Sequence, residues 1–321
     1  MFVLRILVLA FVLIFELHAS EVDNFTKRSV SLEDSRFKLN QMTNLLLKER
    51  IELINQKEKG CKENDLYNEL QKDFNVLVKG SKLLKWVEKS SEISKYNLAL
   101  EDSIYQDWNL LDSPAMRELH LVIPEVFGEV IKVDDVRIGV DKLEHFFGYG
   151  FQYFDTYYLK KKSIKKALKF GLYMEYFNWG AYGTGVMSYG DLAANFNGMR
   201  FWNHILNKNE DILGRPLGPY VVCKNNRWVQ GKSIDWKNYI DESFDESINC
   251  SLFREEIMVK KVRERIKAIP FDGIKNLSCP IAKNKLKKMV EKYSKYSEYI
   301  LNFDGHNVIP IFTNWKQFHD L

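Results

Sequence analysis

Two aromatic-rich segments decide how this chain folds: residues 140–158, VDKLEHFFGYGFQYFDTYY, and residues 171–202, GLYMEYFNWGAYGTGVMSYGDLAANFNGMRFW. In the first segment, polar or small residues recur at intervals of four and three positions, the repeat that keeps side chains on one face of an α-helix. A helix that is apolar over most of its circumference is normally buried, and buried charges need partners. This stripe therefore has to face other polar groups or a cavity. Its residues are Asp141, His145, Gly148, Gln152 and Asp155.

The second segment predicts that two more helices bring further polar groups to this stripe. One helix is expected over 162–179 and carries Glu175 among aromatic residues. The other is expected to begin at Ser188, whose hydroxyl would cap it, with Asp191 in the first turn and Asn195 one turn later. Each of three neighbouring helices therefore offers an acidic side chain. The candidate binding residues are Asp141, His145, Glu175, Asp191 and Asn195.

The order of these motifs resembles the VanZ-like family and related small exported bacterial proteins. The motifs are DKxxHF at 141–146, an acidic helix with Glu175, and SxGDxxANxxG at 188–198. The resemblance is confined to residues 140–202 and implies a helical, membrane-associated protein of poorly defined biochemical activity, linked by name to glycopeptide-antibiotic resistance. Such proteins typically have hydrophobic spanning helices, whereas the equivalent region here contains Asp155 and six lysines between positions 160 and 169. This departure argues against a spanning topology.

The predicted polar cluster is open to a structural or binding interpretation. It would be a buried network that locks three helices together or lines a ligand pocket, with Lys142 or Arg200 neutralising a carboxylate. The protein would then be an exported, envelope-associated structural or binding protein of undefined biochemical activity. A cluster that is simply exposed to solvent would carry no site.

The alternative interpretation is a divalent metal site in an enzyme. Asp141, His145 and Asp191 would be the metal ligands, since imidazole nitrogen and carboxylate oxygen together suit a divalent cation. Glu175 would be the catalytic base, and His145 could also act as a base oriented by a carboxylate. This predicts a metal-dependent hydrolase acting on a cell-envelope component. The sequence has no GxSxG elbow and no HExxH motif, so it does not favour a standard serine hydrolase or zinc peptidase.

The first 20 residues predict export. They combine Arg5, an unbroken apolar run over 6–15, and the small residues Ala19 and Ser20, which is the layout of a secretory signal peptide. The protein is therefore expected in the periplasm or cell envelope. A retained N-terminal anchor is the alternative, although the apolar run is shorter than the roughly 20 residues of a membrane span.

Four cysteines in an exported chain permit two disulfides. Cys250 and Cys279 lie on the same C-terminal segment and are expected to form one of them. Cys223 is expected either to pair with Cys61 or to stay free.

The whole chain predicts a mainly α-helical fold with a small β-hairpin in the C-terminal region. After the signal peptide over 1–20, the expected parts are an N-terminal helical region over 21–115, a central VanZ-like helical core over 116–210, and a C-terminal region over 211–321 with the hairpin, helices and cysteines. The hairpin is expected over 220–230, YVVCKNNRWVQ, because asparagine tolerates the positive φ of a tight turn.

Three other segments have weaker patterns. Residues 121–133 mix β-branched residues with Pro124 and Gly128, so strands or a broken helix would fit, and irregular structure is the expectation. Helical structure is expected over 98–111, and a last helix over 281–301.

Charge narrows the expected partners. The formal net charge of +4 is not the basic excess that nucleic-acid binding requires, so nucleic acid is not an expected partner. Lys162, Lys165, Lys166 and Lys169 are spaced for one helical face, which favours either a solvated surface or contact with anionic lipid headgroups. A membrane surface or another envelope component is therefore the candidate partner.

Overall fold

The computed structural model describes residues 21–74, 81–120, 127–177, 180–270 and 276–310. The predicted signal peptide over 1–20 lies outside these residues. Within them the fold is mainly α-helical, as the sequence predicted. The α-helices are α1 (Arg36–Asn55), α2 (Glu63–Phe74), α3 (Lys82–Lys89), α4 (Pro114–His120), α5 (Asp141–Phe154), α6 (Ile164–Phe177), α7 (Tyr189–Leu206), α8 (Glu256–Ala268), α9 (Lys283–Tyr293) and α10 (Ser297–Ile300). None of the helices in the described ranges is both long and apolar enough to cross a bilayer.

Short antiparallel strands link the helices. They are β1 (Lys95–Tyr96), β2 (Val130–Val133), β3 (Val136–Gly139), β4 (Val186–Met187), β5 (Val221–Lys224), β6 (Arg227–Gln230) and β7 (Leu252–Phe253). The first three form one sheet in the order β1-β2-β3, β4 pairs with β7, and β5 pairs with β6. β5 and β6 form a hairpin where one was predicted, and Asn225 and Asn226 in its turn have φ angles of 50° and 62°.

Glycine lets the backbones of α5 and α7 touch. A Cβ atom built on Gly198 would lie 1.8 Å from the carbonyl oxygen of Phe146. One built on Gly150 would lie 2.7 Å from the Cα atom of Gly198. Because ordinary van der Waals contact begins near 3.4 Å, no side chain fits between the two helices at this point. The close approach helps bring the first turns of both helices together.

Aromatic side chains fill the core around this helix pair. The rings of Phe147 and Phe201 meet edge to face with centroids 5.4 Å apart. The ring of Trp236 meets Phe147 edge to face at 5.6 Å, and the indole N–H of Trp202 donates to the Phe147 carbonyl at 2.9 Å. Such rings contribute large buried areas, and a buried indole N–H needs a partner of this kind. The aromatic residues that dominate the quoted segments therefore hold α5 and α7 inside the protein.

Two disulfides close the fold. Cys250–Cys279 is the predicted pair, and Cys61 pairs with Cys223. The second bond joins residues 162 positions apart and ties the turn before α2 to the hairpin strand β5. All four cysteines of the chain lie within the described residues, and all four are paired.

Three expectations about secondary structure were wrong in part. Irregular structure was expected over 121–133, but 130–133 is the middle strand β2, whose backbone is paired on both sides by β1 and β3; 121–126 lie outside the described residues. The helix expected over 98–111 is only a 3-10 turn at Leu100–Asp102. There the backbone N–H of Ile104 donates to the carboxylate of Asp23 at 2.9 Å instead of continuing a helix.

The last helix is also shorter than expected. Over 281–301 the structure has α9, a 3-10 turn at Ser294–Tyr296 and then α10. Ser294 has a φ angle of 50°, which an α-helix cannot contain. The expected single helix is therefore divided at this residue.

Candidate functional site

α5 and α7 begin next to each other, and each has a carboxylate in its first turn. Asp141 is the first residue of α5, and Asp191 is the third residue of α7. Carboxylates are stabilised at this end of a helix, where backbone N–H groups are unpaired and the dipole is positive. Ser188 caps α7 as predicted, since its hydroxyl accepts a hydrogen bond from the Asp191 N–H at 3.2 Å. Two acidic groups are thus held at the same end of the helix pair.

Lys142 forms ion pairs with three carboxylates at once, and its side chain is only 1% exposed. Its Nζ atom lies 2.6 Å from an oxygen of Asp141, 2.8 Å from one of Asp191 and 2.6 Å from one of Glu246. Burial disfavours the ammonium form, but the three carboxylates raise the pKa of Lys142 well above its usual value. We call these four residues the Lys142 network.

Arg200 and Asp155 do not take part in this network. Arg200, the other residue expected to neutralise a carboxylate, forms a two-point ion pair with Asp211 at 2.9 and 3.1 Å. Asp155, which the helical repeat placed on the stripe of His145, pairs with Lys160 at 2.5 Å. The polar stripe of α5 therefore ends before Asp155.

Two carboxylates at the cluster were not predicted from the sequence. Glu246 accepts hydrogen bonds from the hydroxyl groups of Ser188 at 2.7 Å and Ser251 at 3.2 Å. Glu21 accepts one from the hydroxyl of Thr184 at 2.5 Å. Burial and the nearby Glu246 raise the pKa of Glu21 well above its usual value. Both glutamates lie outside helices, so no periodicity indicated where their side chains point.

His145 faces two carboxylates across distances longer than a hydrogen bond. Its Nδ1 atom is 3.8 Å from Glu175 Oε1, and its Nε2 atom is 3.6 Å from Asp191 Oδ2. One ligand atom from each of the three side chains lies within 4.8 Å of the others. Neighbouring ligands of a tetrahedral zinc ion, each about 2.1 Å from the metal, are roughly 3.4 Å apart. The 3.8 and 3.6 Å distances start from different ring nitrogens, so a cation shared by the three side chains, which we call the His145 triad, would have to draw ligand atoms that now lie within 4.8 Å closer together.

Solvent reaches the His145 triad but not the lysine. The side chains of His145, Asp191 and Glu175 are 13%, 10% and 8% exposed. The cluster thus has a closed part around the Nζ atom of Lys142 and an accessible part around the imidazole, and Asp191 belongs to both.

Asn195 and Tyr149 hold the imidazole in place. The Tyr149 ring stacks on that of His145 with centroids 5.1 Å apart, and the Asn195 amide lies 3.2 Å from Nδ1 of His145. With its nitrogen on this side, the two amide hydrogens have three acceptors at 3.2 Å, which are Nδ1 and the backbone carbonyls of His145 and Asp191. Nδ1 then accepts a hydrogen bond and Nε2 carries the proton towards Asp191. Rotating the amide would let Nδ1–H donate and leave Nε2 available as a ligand.

The titration of these groups reflects burial in a region of excess negative charge. Burial raises the pKa of Asp141 and of Asp191 to about 6, and that of Glu175 well above its usual range. Burial, with the neighbouring Lys142 ammonium, lowers the pKa of His145 to about 4. The imidazole is therefore neutral at pH 7, the form in which histidine binds metals.

The five predicted binding residues all lie at this cluster, but the predicted metal ligands do not form one group. Asp141 groups with Asp191 and Glu246 around the lysine, and Glu175 takes its place beside His145. The reason is that Lys142, the next residue in the chain, holds the Asp141 carboxylate at 2.6 Å. Helical spacing predicted the shared face but not the direction of this side chain.

No family model, curated protein or solved structure matches the chain. The resemblance of residues 140–202 to VanZ-like proteins therefore stays a prediction.

Proposed function

We propose that this protein is an exported, envelope-associated binding protein whose His145 triad holds a divalent cation, and that its Lys142 network is structural. The proposal depends on the contrast in distances between the two parts. Around Lys142 the charged atoms are 2.6 to 2.8 Å apart. Around His145, by contrast, Nδ1 of the neutral imidazole lies 3.8 Å from the Glu175 carboxyl group and Nε2 lies 3.6 Å from that of Asp191. Side chains that serve packing alone normally close such gaps with hydrogen bonds, because unpaired buried polar groups are costly.

Charge balance also supports a cation. The cluster gathers five carboxyl groups (Glu21, Asp141, Glu175, Asp191 and Glu246) and one ammonium group. Since the imidazole is neutral, the remaining carboxyl groups have to be protonated or paired with a further positive charge. A divalent ion with nitrogen and oxygen ligands, such as zinc or manganese, fits the donor set.

The test of this function is the metal content of the purified protein. Protein prepared without chelators is expected to contain close to one equivalent of a divalent metal by elemental analysis. Dialysis against chelator is expected to remove the metal and lower the melting temperature, because a ligand that binds only the folded state stabilises it. Protein without metal, and with no thermal response to added zinc, manganese or magnesium, would refute the proposal.

Paired variants locate the site. Glu175→Gln is expected to lose the metal, whereas Asp141→Asn is expected to keep it, since Asp141 belongs to the Lys142 network. His145→Ala is expected to lose it, whereas His306→Ala is expected to retain it. His306 is a fair control because it lies within 4.8 Å of Cys250 and Cys279, which the disulfide removes as ligands. Equal loss in Asp141→Asn and Glu175→Gln would point instead to a ligand set that includes Asp141.

Export is part of the proposal, and its support is the leader-like sequence over 1–20 together with two disulfides, which persist in oxidising compartments. Mass spectrometry of protein from the periplasmic fraction of a bacterial host is expected to give a chain that begins at or near Glu21. Intact chain confined to the cytosol would contradict this part.

The second candidate is a metal-dependent hydrolase acting on an envelope component. It is favoured by the position of Glu175, whose carboxyl group lies 3.8 Å from His145 and whose pKa burial raises well above its usual range, a perturbation typical of catalytic acids and bases. Assays with p-nitrophenyl acetate and bis-p-nitrophenyl phosphate, with and without added metal, separate the candidates. Metal-dependent turnover of either probe by the original chain would support the hydrolase, and no turnover on either probe would leave binding as the function.

A further inference from the structure

One face of α6 carries lysines in its first half and aromatic residues in its second half. On a helix with 100° per residue, Lys165, Lys166 and Lys169 fall within about 100° of one another. Tyr173, Tyr176 and Phe177 continue along the same side of the helix, within about 120° in all. The opposite face is buried and includes Glu175 of the His145 triad. Lys162, which the sequence placed on this face, lies two residues before the helix begins.

Three lysines at the basic end of this stripe project their charge into solvent. Lys162, Lys165 and Lys166 are exposed, and within the described residues none of them forms an ion pair. The two lysines before them differ, since Lys160 pairs with Asp155 and Lys161 donates to Asn209. Three unpaired ammonium groups therefore project from one short stretch of surface.

The aromatic half is a patch of rings at the surface. The Tyr176 and Phe177 rings meet edge to face at 4.5 Å, and the Tyr182 ring stacks on that of Phe177 at 5.9 Å. Tyr182 is 58% exposed although its ring is large and mainly apolar. Tyrosine is enriched where one end of a side chain is wet and the other lies in an apolar layer, as at the surface of a bilayer.

We propose that this face of α6 docks on the surface of an anionic phospholipid bilayer, with the lysines on the headgroups and the tyrosine and phenylalanine rings in the interface. The charge of the lysines complements that of anionic lipid, and amphipathic surfaces of this composition lie flat in the headgroup layer. The helix is about 21 Å long at 1.5 Å per residue, which gives a flat line of contact. This inference does not depend on a bound cation, since the buried face of α6 carries the site.

The experiment is flotation of the full chain, as the expression host processes it, with vesicles of phosphatidylcholine containing about 30% phosphatidylglycerol. Binding is expected to these vesicles and not to pure phosphatidylcholine, and to fall between about 50 and 500 mM sodium chloride because salt screens exposed charges. Replacing Lys162, Lys165 and Lys166 together by glutamine is expected to lower the affinity about 100-fold, at roughly five-fold per lysine. Tyr182→Ser is expected to weaken binding without changing its salt dependence.

A matched variant decides whether vesicle binding depends on this face of α6 or only on the net charge of the protein. Lys283, Lys287 and Lys288 on α9 are also exposed, and their replacement by glutamine removes the same charge. This variant is expected to bind within a few-fold of the unmodified chain. Equal losses in the two triple variants would overturn the proposal, as would binding to neutral vesicles that the α6 variant does not reduce. Circular dichroism and melting temperature establish that both variants are folded.

Discussion

Replacing Gly198 by alanine tests how closely α5 and α7 approach each other. Gly198 lies within α7 and has a helical backbone, so alanine by itself would stabilise the helix by about 1 kcal/mol. The added methyl group, however, would lie 1.8 Å from the Phe146 carbonyl oxygen, where ordinary contact begins near 3.4 Å. The neighbour is backbone and cannot rotate away, so the helices have to move apart by more than about 1 Å.

The expected result is a net loss of stability. Overpacking of a filled core costs typically about 1–3 kcal/mol and occasionally more. A rigid backbone neighbour places this case at the upper end, at about 3 kcal/mol. After the helix-forming gain of alanine, the free energy of unfolding is expected to fall by about 2 kcal/mol. Because the first turns of both helices carry the cluster, cation binding at the His145 triad is expected to weaken as well.

Urea unfolding, followed by tryptophan fluorescence and circular dichroism, measures this change. The midpoint is expected to fall at an unchanged m-value, the sign of altered stability rather than altered compactness. Gly214→Ala is the control: Gly214 has a φ angle of 66°, and no heavy atom lies within 4 Å of the position that its added methyl group would take. It is expected to lose about 1–2 kcal/mol from backbone strain alone, with cation binding unchanged. A Gly198→Ala protein as stable as the original chain would refute the close contact.

Three further results are expected. Lys142→Met leaves three buried carboxylates without their cation and is expected to cost roughly 3–5 kcal/mol of unfolding free energy by urea titration, against less than about 0.5 kcal/mol for the exposed Lys165→Met. Serine at both Cys61 and Cys223 is expected to lower stability by roughly 2–5 kcal/mol because the disulfide closes a long loop; a melting temperature equal to that of the original chain, measured without reductant, would contradict this. Burial lowers the pKa of His306 from 6.5 to about 3. Below about pH 6.5 this histidine is therefore protonated in the unfolded chain but stays neutral in the folded protein. The free energy of unfolding consequently falls as the pH drops towards 3. Between about pH 7 and 5 this effect is about 2 kcal/mol, and a His306→Asn protein with the same pH profile as the original would exclude it.

Much of the site could be predicted from the sequence because its residues lie on helices. His145, Asp191 and Asn195 lie among aromatic and apolar residues at helical spacing, and this pattern alone indicates buried polar groups. Ser188 has a local signature as a helix cap. The convergence of Glu175 with His145 followed from the expectation that three consecutive helices pack together.

The rest of the site depends on contacts that no local pattern encodes. Glu246 follows a 3-10 turn and is held by Ser188 and Ser251, and Glu21 is held by Thr184, 163 positions away. Lys142 adjoins Asp141 in the chain, but its role as the shared cation depends on Glu246. Because this role of Lys142 was not visible in the sequence, Asp141 was predicted to bind a metal and not to pair with the lysine.

The secondary structure likewise divides into elements that a local sequence pattern predicts and elements that depend on contacts distant in the chain. The strands β2 and β3 were missed because Lys132, Asp134 and Asp135 interrupt their apolar residues, and a strand of four residues gives little periodicity to detect. Backbone pairing with β1, far earlier in the chain, helps to make Val130–Val133 a strand. Asparagine at two successive positions, by contrast, identified the β5–β6 hairpin from the turn alone.

The place of Glu21 bears on how the protein is handled in the laboratory. Its carboxyl group bonds to Thr184 beside the cluster, and its carbonyl accepts a hydrogen bond from Gly128 at 2.9 Å. An affinity tag or fluorescent protein fused directly before this residue would lie next to the polar cluster. In a chain that begins at Glu21, as the proposed cleavage would produce, a flexible spacer before this residue would keep a fusion away from Thr184 and Gly128.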